Sequence, residues 1–381
     1  MKAKKLKLVT VVGTRPELIR LSSIIKRLEK SKILDHYLVH TGQNYDYELN
    51  EIFFKDLDLP KPKFFLELAD KSPSKTIGNI LIKMDEVLDE LKPDAFLILG
   101  DTNSCLSSIV AKKKKIPIFH FEAGNRCFDQ RVPEESNRKI VDHIADINLT
   151  YSDIARDYLI LEGLNPDRII KIGSPMLEVI NDNKKNIDKS DILSKLNLKS
   201  NKFLLVSSHR EENVDNLNNL KQFIDSLNEI SKNLNLHIVF PIHPRTQNRI
   251  KDFNLIPNNK VKLIKPLNFS DYCKLQIESY AVLSDSGTIF EEASILNFRA
   301  LNLRQSHERP EAIEESTVII TGYKKENIIR GIELLQDQSV GKNRNIDLVN
   351  DYNVNNVSLK IERIILSYID YVNRVVWQKE F

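Results

Sequence analysis

Three carboxylates fall at one edge of the expected sheet, two of them where short apolar runs end and the third at the start of a helix. They are Asp101 in Leu99-Gly100-Asp101-Thr102, Glu122 in His120-Phe121-Glu122-Ala123-Gly124, and Glu134 in Val132-Pro133-Glu134-Glu135. A carboxylate beside a buried run is costly unless it is paired or used, so this set could exchange protons with a ligand. Simpler roles stay open: Asp101 could cap the helix that begins at Thr102, and Arg126, Arg131 or Arg138 could hold Glu122 in a structural ion-pair cluster. A second group of residues suits an anion. Arg15 and Arg20 follow Gly13-Thr14 at the start of a helix with Pro16 in its first turn, where backbone N–H groups and guanidinium groups can meet negative charge; surface arginines after a strand-to-helix turn are the plain alternative. His209-Arg210 follow Ser207-Ser208, a pairing that also suits phosphate. Asp285-Ser286-Gly287-Thr288 opens another helix that carries Glu291-Glu292. There a Ser-Gly turn offers N–H groups to a phosphate, and a glutamate one turn on could accept from ribose hydroxyls. Arg304 and Arg309 could add charge beyond the next strand, while His243 reads as structural.

These residues need elements that bring them to one edge. Apolar runs at Lys7–Val12, Ala95–Leu99, Ile116–Phe121, Ile147–Leu149 and Ile169–Ile172 alternate with helical stretches at Pro16–Lys30, Tyr45–Lys55, Ser74–Leu91, Thr102–Lys115, Glu134–Ala145 and Asp153–Glu162. That is the pattern of parallel βαβ units, whose strands are nearly continuous in apolar residues because helices cover both faces. A break follows Gly173-Ser174-Pro175, and residues 181–201 are polar. The alternation then restarts with strands at Phe203–Ser207, His237–Pro241, Lys262–Ile264, Ala281–Ser284 and Arg299–Leu303. The fold class expected is α/β, with two facing Rossmann-like domains and the active site in the cleft between them. Residues 1–173 would form the domain with the acid–base carboxylates and 174–357 the nucleotide-binding domain. Residues 358–381 would form a terminal helix packed back on the first domain. Ligands in such sheets lie beyond the carboxyl ends of the strands, where the polar residues above fall.

Composition narrows the classes. A chain of 381 residues exceeds the size at which single cores stop growing, so two domains are expected. Lysine and arginine number 56 against 53 acidic residues, a balance that argues against a nucleic-acid partner. No apolar run is long enough to span a bilayer, and the basic N-terminus leads into a strand rather than a signal sequence. Cys105, Cys127 and Cys273 form neither a disulfide pattern nor a zinc site. A cytoplasmic protein without a metal is expected. There is no GxGxxG fingerprint and no GxxxxGK[ST] loop, so neither a nicotinamide nor another cofactor is expected.

Taken together, Gly13-Thr14-Arg15-Pro16-Glu17, Gly100-Asp101-Thr102, Glu122-Ala123-Gly124, Pro133-Glu134-Glu135-x-Asn137-Arg138, His209-Arg210, Asp285-Ser286-Gly287 with Glu291-Glu292, and Glu308-Arg309-Pro310-Glu311 resemble the non-hydrolysing UDP-N-acetylglucosamine 2-epimerase family. The resemblance implies the glycosyltransferase-B fold and a UDP-activated N-acetylated amino sugar as the partner. It places Arg15, His209, Ser286, Glu292 and Arg309 on UDP, with Arg20, Gly287 and Thr288 in the same binding set. Asp101, Glu122 and Glu134 become the acid–base carboxylates, with His209 beside them, and a homodimer is implied. There are departures. The loop from Gly124 to Pro133 is short, Thr288 stands for a usual glycine and Arg20 for a usual lysine. Gln43-Asn44-Tyr45-Asp46 lacks the histidine and arginine that many bacterial members use for an allosteric substrate molecule. The stretch from Glu122 to Asp129, with Asn137-Arg138-Lys139-Ile140-Val141-Asp142-His143, is most similar to the branch that converts UDP-2-acetamido-2,6-dideoxy-L-talose to UDP-N-acetyl-L-fucosamine for surface polysaccharide. UDP-N-acetylglucosamine is the alternative substrate, and a glycosyltransferase of the same fold is a further one.

The hydrogen on C2 of such a sugar is not next to a carbonyl and cannot be removed directly at neutral pH. Oxidation at C3 would acidify it but would call for a nicotinamide. Elimination remains: UDP leaves C1 as a base takes the C2 proton, and UDP adds back as a proton reaches the opposite face. That route needs cations and N–H groups on the diphosphate and carboxylates on the proton.

Overall fold

The computed structural model describes residues 4–42, 47–208, 217–242 and 244–379. They divide into two compact units, Met1–Asp182 with Asp351–Phe381, and Asn183–Asn350. The sequence reading put the breaks at 173 and 357; in the structure the start of the Met176–Lys189 helix and residues 351–357 pack with the first unit.

In the first unit, β1 (Leu6–Val12), β2 (Leu34–His40), β3 (Phe64–Phe65), β4 (Ala95–Leu99), β5 (Ile118–Ala123), β6 (Ile147–Thr150) and β7 (Ile169–Lys171) form a parallel sheet in the order β3-β2-β1-β4-β5-β6-β7. One sheet face packs on Leu18, Leu21 and Ile25 of the Arg15–Glu29 helix and on Val357, Ile361, Ile365 and Ile369 of the terminal Val357–Tyr371 helix. Burial of each such aliphatic side chain contributes roughly 1.5–3 kcal/mol, which anchors the end of the chain to this unit. The opposite face packs on Ile80, Met84 and Leu88 of the Pro73–Leu91 helix.

In the second unit, β8 (Phe203–Ser207), β9 (His237–Pro241), β10 (Val261–Ile264), β11 (Ala281–Ser284), β12 (Ala300–Asn302) and β13 (Ile319–Ile320) are parallel in the order β10-β9-β8-β11-β12-β13. In both sheets the strand order reverses beside the first strand, between β1 and β4 and between β8 and β11. Ligands bind at such switch points in open parallel sheets.

Three strands differ from the sequence expectation. β2 and β3 were not anticipated, because Asp35, His36 and His40 break the apolar run of Leu34–His40. Those polar groups are bonded locally: Tyr37 Oη donates to Asp35, and the ring nitrogens of His36 meet Thr10 and Glu29. β13 has only two residues. The stretch expected as one helix over Thr102–Lys115 is a 3-10 turn, Asn103–Ser107, followed by a short helix, Ser108–Lys113. No described helix is long and apolar enough to cross a membrane.

Candidate active site

The β1 and β4 loops meet at the switch point of the first unit through Glu17. Its Oε2 accepts from the backbone N–H groups of Gly13 (2.5 Å) and Thr14 (2.7 Å), and its Oε1 accepts from Thr102 Oγ1 at 2.6 Å. Sequence reasoning quoted Glu17 within a motif and gave it no role. The signal was its third position after Thr14, the spacing of a capping box. Burial pushes its carboxyl up to about 7, and the three donated bonds only partly oppose this. The folded protein therefore holds this proton more tightly than the unfolded chain. The resulting stabilisation is full below about pH 4.5 and is lost as pH rises towards 7, an effect of about 3 kcal/mol. Urea unfolding between pH 5 and pH 8 is expected to show this loss in the wild type and not in Glu17→Gln.

Asp101 follows β4. It is not the cap of the next turn, because Thr102 is: its Oγ1 accepts from Ser104 N. The Asp101 carboxylate instead takes two bonds from Arg138, with Nε at 2.9 Å and Nη2 closer, and Asn137 Nδ2 donates to the Asp101 carbonyl at 2.9 Å. Arg138 Nη1 also donates to Glu135 at 3.1 Å. These bonds fasten the first turns of the Pro133–Ile144 helix, where Glu134 sits half-buried, to the end of β4.

Glu122 was expected just after a strand and lies inside one. The pairing of β5 with β6 shifts register between Phe121 and Ala123, and Glu122 has φ +70°. A bulge with a left-handed residue re-aims a side chain at the end of a strand, here at a cost of roughly 1–3 kcal/mol. The buried carboxylate accepts from Arg20 Nη1 (2.5 Å) and Tyr151 Oη (3.2 Å) on Oε2, and from Asn125 Nδ2 (3.3 Å) on Oε1. This corrects one expectation: Arg20 is a cation bonded to Glu122, while Arg126, Arg131 and Arg138 bond other carboxylates. Arg126 pairs with Asp142 and Glu162, Arg131 with Asp129, and Arg138 with Asp101 and Glu135. Arg15, in the first turn of its helix, lies over the Phe53 ring at 5.3 Å.

In the second unit, Asp285-Ser286-Gly287-Thr288 follows β11 and leads into the Ile289–Leu296 helix. Asp285 Oδ2 accepts from Ser208 Oγ (3.1 Å) and Tyr323 Oη (3.2 Å), while Arg304 Nε donates to the Asp285 carbonyl at 2.5 Å. Ser286 Oγ accepts from Thr288 N and lies 3.0 Å from Thr288 Oγ1. Gly287 leaves room for Glu308, whose Oε1 would be 2.8 Å from a β-carbon placed there. Glu292 accepts from Gln276 Nε2 at 2.6 Å. The Arg309 guanidinium is fully buried with its Nε 3.6 Å from Glu291 Oε2, a carboxylate of the same unit. His209, Arg210, His243 and Gln43–Asp46 lie outside the described residues.

Asp56-Leu57-Asp58, which could pass for the Asp-x-Asp of a metal-dependent transferase, closes the Tyr47–Asp56 helix. Leu57 is buried between the two acids and Asp58 has a left-handed backbone, φ +50°. Among the described residues no group of three or more His, Cys, Asp or Glu could hold a metal ion.

Two parallel α/β units, one with paired carboxylates at the ends of the adjacent strands β4 and β5 and the other with a Ser-Gly turn at its switch point, have the architecture of the glycosyltransferase-B type. The family model described as UDP-N-acetylglucosamine 2-epimerase matches residues 26–366. The chain is similar to the structure of a UDP-N-acetylglucosamine 2-epimerase from Rickettsia bellii, with 50% identity, a TM-score of 0.92 and coverage of 99% of this chain and 100% of that one. It is similar to the Methanocaldococcus jannaschii UDP-GlcNAc 2-epimerase in complex with UDP-GlcNAc and UDP, with 36% identity, a TM-score of 0.88 and coverage of 95% and 100%. It is also 32% identical to a UDP-2,3-diacetamido-2,3-dideoxy-D-glucuronate 2-epimerase from Pseudomonas aeruginosa, over 85% of this chain and 90% of that protein. The chain belongs to the non-hydrolysing UDP-N-acetylglucosamine 2-epimerase family and is an isomerase of UDP-sugars.

Proposed function

We propose that the protein inverts C2 of UDP-N-acetylglucosamine, giving UDP-N-acetylmannosamine, by anti elimination of UDP and its re-addition. The observation that carries this reading is the pairing of Asp101 with Arg138 and of Glu122 with Arg20 at two adjacent strand ends of one sheet. Arg15, His209, Ser286, Gly287 and Thr288 hold the diphosphate, and Glu292 holds the ribose. Asp101, Glu122 and Glu134 move protons. One takes the C2 proton as the C1–O bond breaks and its electron pair leaves with UDP. Another delivers a proton to the opposite face of the C1=C2 intermediate as the UDP oxygen returns to C1. Arg20 serves this set as the counter-ion of Glu122. Arg309, which the resemblance assigns to UDP, lies beside Glu291 and completes the UDP-binding set. The free thiols of Cys105, Cys127 and Cys273 support a cytoplasmic enzyme, and the family resemblance supports a homodimer.

The second reading is the 2,6-dideoxy-L-talo substrate, favoured by the stretch from Glu122 to Asp129. In the structure two members of that stretch bond groups within the unit: Arg126 bonds Asp142 and Glu162, and Cys127 N and Sγ donate to Glu135. These residues therefore support the carboxylates whichever sugar is bound, and the similar proteins named UDP-N-acetylglucosamine 2-epimerases support the first reading.

Proton NMR in D2O with each UDP-sugar tests the reading. Deuterium is expected at C2 of UDP-N-acetylglucosamine together with its epimer; exchange only with the L-talo sugar would install the second reading. No exchange with either sugar would overturn both.

A further inference from the structure

The two paired carboxylates share one buried support. Gly100, the residue before Asp101, offers its carbonyl to His120 Nε2 at 2.9 Å, and His120 Nδ1 faces Asp142 Oδ1 at 2.9 Å. Both Asp142 oxygens accept from the Gly124 N–H, two residues past Glu122, at 3.2 and 3.3 Å. Arg126 Nη1 donates to Asp142 Oδ2 and to the Asn125 carbonyl, each at 2.7 Å, and Asn125 Nδ2 donates to Glu122. The far side of the Arg126 guanidinium makes two bonds of 2.7 Å to Glu162. The side chains of His120, Arg126 and Asp142 are completely buried. None of them is needed to touch the sugar, the diphosphate or a moving proton.

The backbone they hold is unusual. Gly100, Glu122 and Gly124 all have positive φ, +72°, +70° and +80°. A left-handed residue with a side chain persists only where its surroundings over-determine it; the Gly100 N–H donates to the Phe121 carbonyl at 2.9 Å, and Asp142 reaches Gly124 directly and Gly100 through His120.

We infer that Asp142 is a positioning residue: through His120 to Gly100 and directly to Gly124, it sets the backbone on which Asp101 and Glu122 are carried. The inference rests on the proposed proton-transfer role of those two carboxylates. A displacement of about 1 Å at a reacting group can cost about 10²-fold in rate, whereas UDP affinity depends on other residues.

The test compares wild type with Asp142→Asn, which keeps the shape and an acceptor for Gly124 but loses the charge facing Arg126 and His120. Turnover is followed by C2 deuterium exchange, UDP affinity by calorimetry and folding by circular dichroism. A folded variant with kcat lowered by about 10²-fold and a UDP Kd within about threefold of wild type supports the inference. A folded variant with kcat within about twofold of wild type, or with kcat and UDP affinity lost in equal measure, overturns it. Should Asp142→Asn not fold, His120→Gln decides by the same comparison, since its amide can still donate to Gly100 while the contact with Asp142 is gone. A wild type that exchanges C2 of neither sugar overturns the proposed function, and the inference falls with it.

Discussion

Glu122→Gln is expected to lower kcat by about 10²- to 10⁴-fold and to leave UDP affinity nearly unchanged. Glutamine keeps the volume of the side chain and one oxygen, which can still accept from Tyr151 in the place of Oε2, so the bulge that carries residue 122 has no steric reason to change. What is lost is the ability to take a proton and the negative charge opposite Arg20. The guanidinium is buried beside it, and an uncompensated charge there also lowers stability, by as much as 3–5 kcal/mol where a buried pair is broken outright. Thermal unfolding and UDP calorimetry separate these effects. A variant that is folded at the assay temperature, binds UDP normally and fails to exchange C2 supports proton transfer by Glu122. A variant that exchanges C2 at the wild-type rate removes Glu122 from the chemistry and leaves it as an anchor for Arg20.

The second large effect is on folding. Gly124→Ala is expected to destabilise the protein by more than about 3 kcal/mol, placing it among the severe single substitutions. Its φ is +80°, which costs an L-residue roughly 1–2 kcal/mol. The added β-carbon would also lie 2.2 Å from the carbonyl oxygen of Ala155 and 2.9 Å from its carbonyl carbon. Both are backbone atoms, so relief requires moving the chain that follows β6 or moving Gly124 away from Asp142. Gly100→Ala is the matched control. Its φ is +72°, but nothing lies within 4 Å of the new carbon, so only the conformational cost applies, about 1–2 kcal/mol. Equal losses of urea stability in the two variants would show that backbone conformation, and not the approach of Ala155, makes residue 124 a glycine.

The support around Asp142 also bears on the short loop between Gly124 and Pro133. A longer loop could order itself through its own contacts, whereas this one is held at both ends by buried groups, Arg126 at the start and Glu135 at the close. Phe128, one of its exposed members, has φ +54° and packs edge-on against Tyr158 at 5.3 Å.

Much of this architecture was legible in the residues themselves. β4, β8, β9 and β11 fall where continuous apolar runs predict them, because a strand buried on both faces must be apolar throughout. The carboxyl ends of those runs located Asp101 and Ser286, since a polar residue directly after a buried strand has few places to go but the sheet edge. β2 was hidden for the opposite reason: its polar side chains are bonded to Thr10, Glu29 and one another, and such pairing exists only once the neighbouring elements are in place. The partners of the charges were likewise decided by the tertiary structure. Sequence proximity suggests Arg126, Arg131 or Arg138 for Glu122, yet a bond comes from Arg20, 102 residues away, because folding brings the helix after β1 to the carboxyl end of β5, past the intervening β4. The same holds for Glu17, a motif residue without an assigned role in the sequence and found linking two loops through Thr102, and for Asp142, an ordinary acid in a helix until folding sets it between Gly124 and His120. Residue type and spacing determined which groups stand at the edge of the sheet; only the packing of distant segments determined which charge meets which, since an ion pair forms between neighbours in space.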